Sequence, residues 1–150
     1  MPLYDRTVTW THSQRPEMAE LRSVISALFD TWNSHDMSAF AALFSRHAQF
    51  VNVLGMQWHG REEIEARHAE AHRTIFRNST LRPEGYGVRG LTPTIVLVHL
   101  NWQMRGADNL PGREPGQDRY GVMTLLIERG ERWLITAAHN TETVPIPVSK

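Results

Sequence analysis

The sequence contains no cysteine. Disulfides, thiolate nucleophiles and zinc–thiolate sites are therefore excluded. It also lacks an excess of charge: sixteen basic residues balance sixteen acidic ones, for a formal net charge of zero. A chain without a basic surplus has no electrostatic footprint for nucleic acid or an anionic membrane, so neither is expected as a partner. Long apolar runs are missing too. Neither Ala39 to Phe44 nor the stretch around Ile95 to Val98 is anywhere near long enough to span a bilayer. The opening Met1-Pro-Leu-Tyr-Asp-Arg6 has no apolar stretch of the signal-peptide kind, and a cytoplasmic location is the simplest expectation. The spacing G-x-G-x-x-G occurs at Gly85-Tyr-Gly-Val-Arg-Gly90, but within the strand-patterned part of the chain and with no helix after it, so it is no phosphate loop and no cofactor is expected.

What is present suits one globular domain: 150 residues, 41% hydrophobic and 21% charged. Residues 1–15 show no period and read as an extended arm, residues 16–145 as a single domain, and residues 146–150 as an irregular tail. Pro16 and Glu17 suit the first turn of a helix. Apolar residues then recur at offsets of three and four through Met18, Leu21, Ile25, Leu28 and Trp32, which predicts an amphipathic helix. Asp36 is placed to cap a second, short helix carrying Phe40, Leu43 and Phe44. Gln49 to Val53 reads as a strand, and Gly55 and Gly60 bracket a turn or short hairpin that contains Trp58. A third helix opens at Gly60, with Ile64, His68, Ala71 and Ile75 on one face.

From Ser79 the pattern changes to strands. Thr94 to Met104 alternates, with Val96, Val98, Leu100, Trp102 and Met104 facing one way. Gln117 to Arg129 and Arg132 to Thr141 form two more strands, joined at Gly130-Glu131. The Gly- and Pro-rich connection from Arg105 to Gly116 is long enough to act as a flap. Helices first and antiparallel strands after them argue for an α+β fold.

Four segments carry a resemblance: Trp32-Asn-Ser-His-Asp36, Phe40-Ala-Ala-Leu-Phe44, Ala48 to Gly55, and Gly60-Arg-Glu-Glu-Ile64 with His68. Together they resemble the SnoaL-like superfamily, of the nuclear-transport-factor-2-like type. The ending Trp133-Leu-Ile-Thr-Ala-Ala-His-Asn-Thr141 is similar to its SgcJ/EcaC-type subfamily. The resemblance covers about residues 17–145. It implies a cone-shaped, cystatin-like α+β fold, with three N-terminal helices packed in a strongly curved, mostly antiparallel sheet. It also implies a pocket at the wide end and a homodimer formed through the sheet. Members include isomerases, dehydratases, epoxide hydrolases, polyketide cyclases and non-catalytic binding modules, so the fold alone assigns no reaction.

Two mechanisms of the superfamily do not transfer. Alignment with a bacterial ketosteroid isomerase puts its catalytic tyrosine at Leu28 and its aspartate base at Asn52, and an amide takes no proton near neutral pH. Phe50-Val-Asn52 resembles the aromatic-x-Asn of limonene-epoxide-hydrolase-like enzymes, but their Arg-x-Asp strand and further Asp are absent.

Several residues are candidates for a site. His68 lies within about 40° of Ile64 on a helical wheel and points inward, either as an acid/base or as a core histidine satisfied by a backbone carbonyl or water. Asn52 reads as a donor to a ligand oxygen or as a polar group at a strand end. His139 and Asn140 are strand neighbours, so at most one of them lines a pocket. Trp32, Phe50, Phe76, Trp102 and Met104 are the candidate apolar walls. His68 and His72 have the i, i+4 spacing of metal ligands, but His-Ala-Glu-Ala-His is not H-E-x-x-H and no third ligand is nominated. No metal is expected. Asp36 as an acid is outweighed by Asp36 as a cap. The expected function is to bind a small apolar molecule, polyketide-like or aromatic, as a cofactor-independent cyclase, isomerase or dehydratase. The alternative is a non-catalytic ligand-binding or accessory homodimer module.

Overall fold

The structure, a computed structural model, describes residues 15–108, 114 and 116–144. The predicted arm up to residue 14, the tail from 146 and the middle of the predicted flap lie outside these described residues. Three helices come first or nearly so: α1 (Arg15–Asn33), α2 (Met37–Ala41) and α3 (Arg61–Arg73). Strands β1 (Phe44–Val51) and β2 (Gln57–His59) separate α2 from α3. The chain then runs through β3 (Thr80–Thr92), β4 (Ile95–Arg105), β5 (Arg119–Arg129) and β6 (Trp133–Glu142). One six-stranded sheet results, in the order β2-β1-β6-β5-β4-β3. Only β1 and β6 run parallel; every other neighbouring pair is antiparallel. This is the α+β architecture that the order of patterns implies.

The helices cover one face of the sheet. Leu21, Ile25 and Leu28 of α1 are buried, as are Val96, Val98 and Leu100 of β4 and Leu125 and Ile127 of β5. Each such side chain contributes roughly 1.5–3 kcal/mol when withdrawn from water. At the end of α1, side chains sew the helix to β3. Asn33 accepts from the Leu81 amide through Oδ1 at 2.7 Å and donates to the Leu81 carbonyl through Nδ2 at 2.8 Å, as a neighbouring strand would. Trp32 Nε1 donates to Ser79 Oγ at 3.1 Å. Asp36 caps α2 as expected, accepting from the Ala39 amide at 3.0 Å.

Two irregularities decide what reaches the interior. In the β5–β6 ladder Ile127 faces Ile135, whereas Leu126 faces Ala137, so β6 carries one extra residue, Thr136. Before the bulge Trp133 and Ile135 point inward; after it the inward set is Ala138, Asn140 and Glu142. The second is at the end of β1. Asn52 falls just beyond the strand rather than within it, and its amide donates to the Met56 carbonyl to close a hairpin turn. Gly55, with φ of 79°, makes that turn possible.

Candidate functional site

Between α1, α3 and the sheet lies a cavity of about 330 Å³, within the size range of small-molecule sites. Its walls are mainly aromatic and apolar: Trp32 from α1, Phe50 from β1, Phe76 after α3, and Trp102 and Met104 from β4. Trp58 of β2 adds a further ring, and Leu54 and Met56 of the hairpin turn form an exposed apolar lip.

His68 is buried in the helical wall. Its Nδ1 lies 2.8 Å from the Ile64 carbonyl, one turn back along α3. A carbonyl only accepts, so Nδ1 carries the proton and Nε2 is the ring's unprotonated nitrogen. Phe50 and Trp58 meet the imidazole edge-on at 4.8 and 5.3 Å, and Phe40 lies 4.8 Å away on another side. Burial among these rings pushes the imidazole down to about 4, against the opposing pull of the Ile64 carbonyl. Near neutral pH it is therefore an uncharged acceptor facing an apolar space.

His72, one turn further on, belongs to a different arrangement. Its Nδ1 lies 2.8 Å from Nδ1 of His35, so one ring donates and the other accepts. Burial pushes it down to about 4 as well, helped by repulsion from His35 and then His68. Its Nε2 is buried without a hydrogen-bond partner among the described residues. The Nδ1 atoms of His68 and His72 thus have different partners despite their i, i+4 spacing. No group of three or more His, Asp or Glu residues gathers as a metal site among the described residues.

The polar groups of the sheet wall sit on β5 and β6. Asn140 lines the cavity, while His139 lies exposed on the outer face. His139 is thereby corrected: the bulge at Thr136 sets the inward parity, and Asn140 takes the inward place. Trp102 Nε1 donates to Asn140 Oδ1 at 2.7 Å. An indole N–H only donates, which fixes the orientation of the amide and leaves Nδ2 as its free end. The reach from β4 to β6 passes over Gly121 of β5, where a Cβ would collide with the Trp102 indole and the Thr141 carbonyl.

Asn52 also lines the cavity, but its side-chain oxygen is committed. Oδ1 accepts from the amides of Leu54 and Met56 at 3.0 and 2.8 Å. Of the two readings of Asn52, the polar group at a strand end matches its place, since the strand ends at Val51 and Oδ1 organises the turn, while Nδ2 stays on the cavity side as a donor.

Arg119 was not among the sequence candidates. It lines the cavity with its side chain only 6% exposed, and it pairs with Glu142, 12% exposed. The pair is bidentate: Nε donates to Oε1 at 2.6 Å and Nη2 to Oε2 at 2.9 Å. A signal was present, since Arg119 shares the inward alternation of Gly121, Met123, Leu125 and Ile127. Leu28, the position aligned with the isomerase tyrosine, is wholly buried core.

The sequence matches the SnoaL-like domain family over residues 25–133. No curated protein matches it. Among solved structures it is similar to a cystatin-like-fold protein of unassigned role from Caulobacter vibrioides, with 26% identity, a TM-score of 0.78, and 85% of this chain and 90% of that one covered. A candidate scytalone dehydratase from Novosphingobium aromaticivorans matches at 15% identity and a TM-score of 0.76, over 90% of this chain and 89% of that one. LinA matches at 11% identity and a TM-score of 0.77, over 91% and 92%. Such likeness establishes the fold, the cystatin-like or nuclear-transport-factor-2-like arrangement of three helices and a six-stranded mixed sheet.

Proposed function

Because the chain belongs to the SnoaL-like domain family, we propose that it binds a ring-sized, mostly apolar metabolite and acts on it without a cofactor, as an isomerase, cyclase or dehydratase. The observation that carries this reading is His68: a neutral imidazole whose Nδ1 is held by Ile64 and whose Nε2 is left as an acceptor in an aromatic-walled cavity. All three reactions can begin with removal of a proton beside a carbonyl or hydroxyl carbon. His68 takes that proton, and Asn140 Nδ2 donates to the oxygen on which charge develops. Two proteins sharing the fold carry names that denote eliminations, a scytalone dehydratase and a hexachlorocyclohexane dehydrochlorinase, and elimination is compatible with this arrangement.

A finer placement in the SgcJ/EcaC-type subfamily is supported by the ending Trp133 to Thr141. Homodimerisation through the sheet is supported by its outer face, where Leu97, Leu126 and Ala137 lie side by side across three strands. A non-catalytic binding role is the second reading. It is favoured by the weak basicity of His68, whose Nδ1 meets a backbone carbonyl and not a carboxylate.

The two readings part on one variant. Against a panel of apolar ketones, hydroxyketones and phenols, His68→Ala should abolish turnover of whatever the wild type converts, with circular dichroism unchanged. A fully active His68→Ala removes the proposed role. Tight binding with every ligand returned unchanged favours the binding module.

A further inference from the structure

The polar groups of the cavity are divided between its walls. The helical wall offers an acceptor, Nε2 of His68. The sheet wall offers donors. Asn140 has spent its oxygen on Trp102 and keeps its Nδ2 hydrogens, and Glu142 occupies one edge of the Arg119 guanidinium through Nε and Nη2. A guanidinium carries more N–H donors than one carboxylate can take, and Arg119 lines the cavity. Its fork is pre-set: the bidentate pair holds it rigid, as Trp102 holds the amide. The two pairs are adjacent in the sheet, since Trp102 faces Gly121, Gly121 faces Glu142, and Asn140 lies two residues from Glu142 on the same strand.

The charge balance narrows what these donors suit. Glu142 offsets Arg119 within the wall. Of the other charged groups lining the cavity, Arg67 and Glu70 form an exposed pair at 3.7 Å, and His68 is neutral. Among the described residues the site therefore supplies aimed hydrogen bonds without a net positive charge, which disfavours phosphates and other multiply charged ligands. It also supplies them in an apolar setting, where directed donors are worth most to a single oxygen bearing partial or full charge.

From this arrangement we propose that Arg119 and Asn140 form an oxyanion-binding subsite, and that the ligand class is a neutral ring-sized molecule that becomes a monoanion at one oxygen: a phenol, or a cyclic ketone capable of enolisation. The proposal rests on the pocket reading above and adds the residue that anchors the ligand. In a bound ketone the anchored oxygen becomes the enolate oxygen as His68 removes the α-proton. Arg119 stabilises that charge and Glu142 positions Arg119.

The test uses 4-nitrophenol, whose absorbance distinguishes phenol from phenolate, and its methyl ether 4-nitroanisole, which has nearly the same shape but cannot ionise. With the whole protein, bound 4-nitrophenol should ionise about one pH unit or more below the free compound. Arg119→Gln combined with Glu142→Gln, which removes both charges of the pair together, should weaken phenolate binding by roughly tenfold to a hundredfold. It should leave 4-nitroanisole binding little changed. Should that variant misfold, Asn140→Asp keeps an acceptor for Trp102 while replacing the free donor with a carboxylate. It should weaken the phenolate selectively as well. Equal binding of the phenol and its ether, with no shift in ionisation, overturns the anchor and leaves the pocket standing. If neither compound binds, the pocket reading falls together with the subsite.

Discussion

His68 is the residue at which sequence, packing and chemistry meet. Its helical spacing from Ile64 turns it inward, and the rings of Phe40, Phe50 and Trp58 surround it. Those rings exclude water from the imidazole, which makes the charged form costly. A consequence for stability follows from linkage. The folded chain refuses a proton until about pH 4, whereas the unfolded chain accepts one near 6.5. The contribution of His68 is thus intact above pH 6.5 and is lost as the pH falls towards 4, on the order of 3 kcal/mol in all. Below about pH 4 it no longer changes. His68→Phe, which keeps an aromatic ring in the cage, should flatten the acid limb of a urea-denaturation series between those pH values; an unaltered limb would mean that burial of His68 is not its cause. The acid limb of kcat/KM, if it reports the same group, should fall near pH 4 rather than near 6.5. The inward direction of His68 was legible because a single helix face is a short-range property. Helical spacing does not choose between a backbone carbonyl and a water as its partner; the structure gives the Ile64 carbonyl. Arg119 went unnoticed because charged residues are usually read as surface, although its alternation with Met123 and Leu125 placed it inside.

At the scale of elements, the strands carry the site and the turns aim it. The order of helices and strands was readable from periodicity, as was the inward face of β4, where burial alternates from Val96 to Trp102. β6 was not readable in this way. A bulge at Thr136 shifts its inward set from Trp133 and Ile135 to Ala138 and Asn140, and no residue in the stretch announces the extra position. β3 was hidden for another reason: Pro83, Gly85, Gly87 and Gly90 suppress a strand pattern, and the edge of a sheet tolerates them. Two substitutions test the elements that shape the cavity. Gly121→Ala should force the Trp102 indole away from Asn140 and cost about 1–3 kcal/mol, read as a lower denaturation midpoint with altered tryptophan fluorescence. Asn52→Ala should loosen the turn carrying Leu54 and Met56 and cost about 1–2 kcal/mol, whereas Asn52→Asp keeps the acceptor and should retain both stability and turnover. Loss of turnover in Asn52→Asp with stability intact would return Asn52 to the role of ligand donor.

Across the whole molecule, the sheet has two faces with different work. The inner face packs on the helices and holds the cavity; the outer face exposes a row of half-buried apolar side chains, Leu97, Leu126 and Ala137. If that row is the dimer contact, Leu126→Glu should convert a dimer into a folded monomer in sedimentation velocity, and an unchanged mass would move the contact elsewhere. Membership of the family fixes the architecture but leaves the chemistry to the few polar groups facing the cavity. Removal of a proton by His68 from a carbon acid bound there can be tested before the natural substrate is known. Cyclic ketones incubated with the protein in heavy water, followed by proton NMR, report exchange at the carbon beside the carbonyl. Wild-type protein should accelerate that exchange for at least one ring-sized ketone, and His68→Ala should reduce it to the rate in buffer. Equal exchange with wild type and His68→Ala would contradict the account.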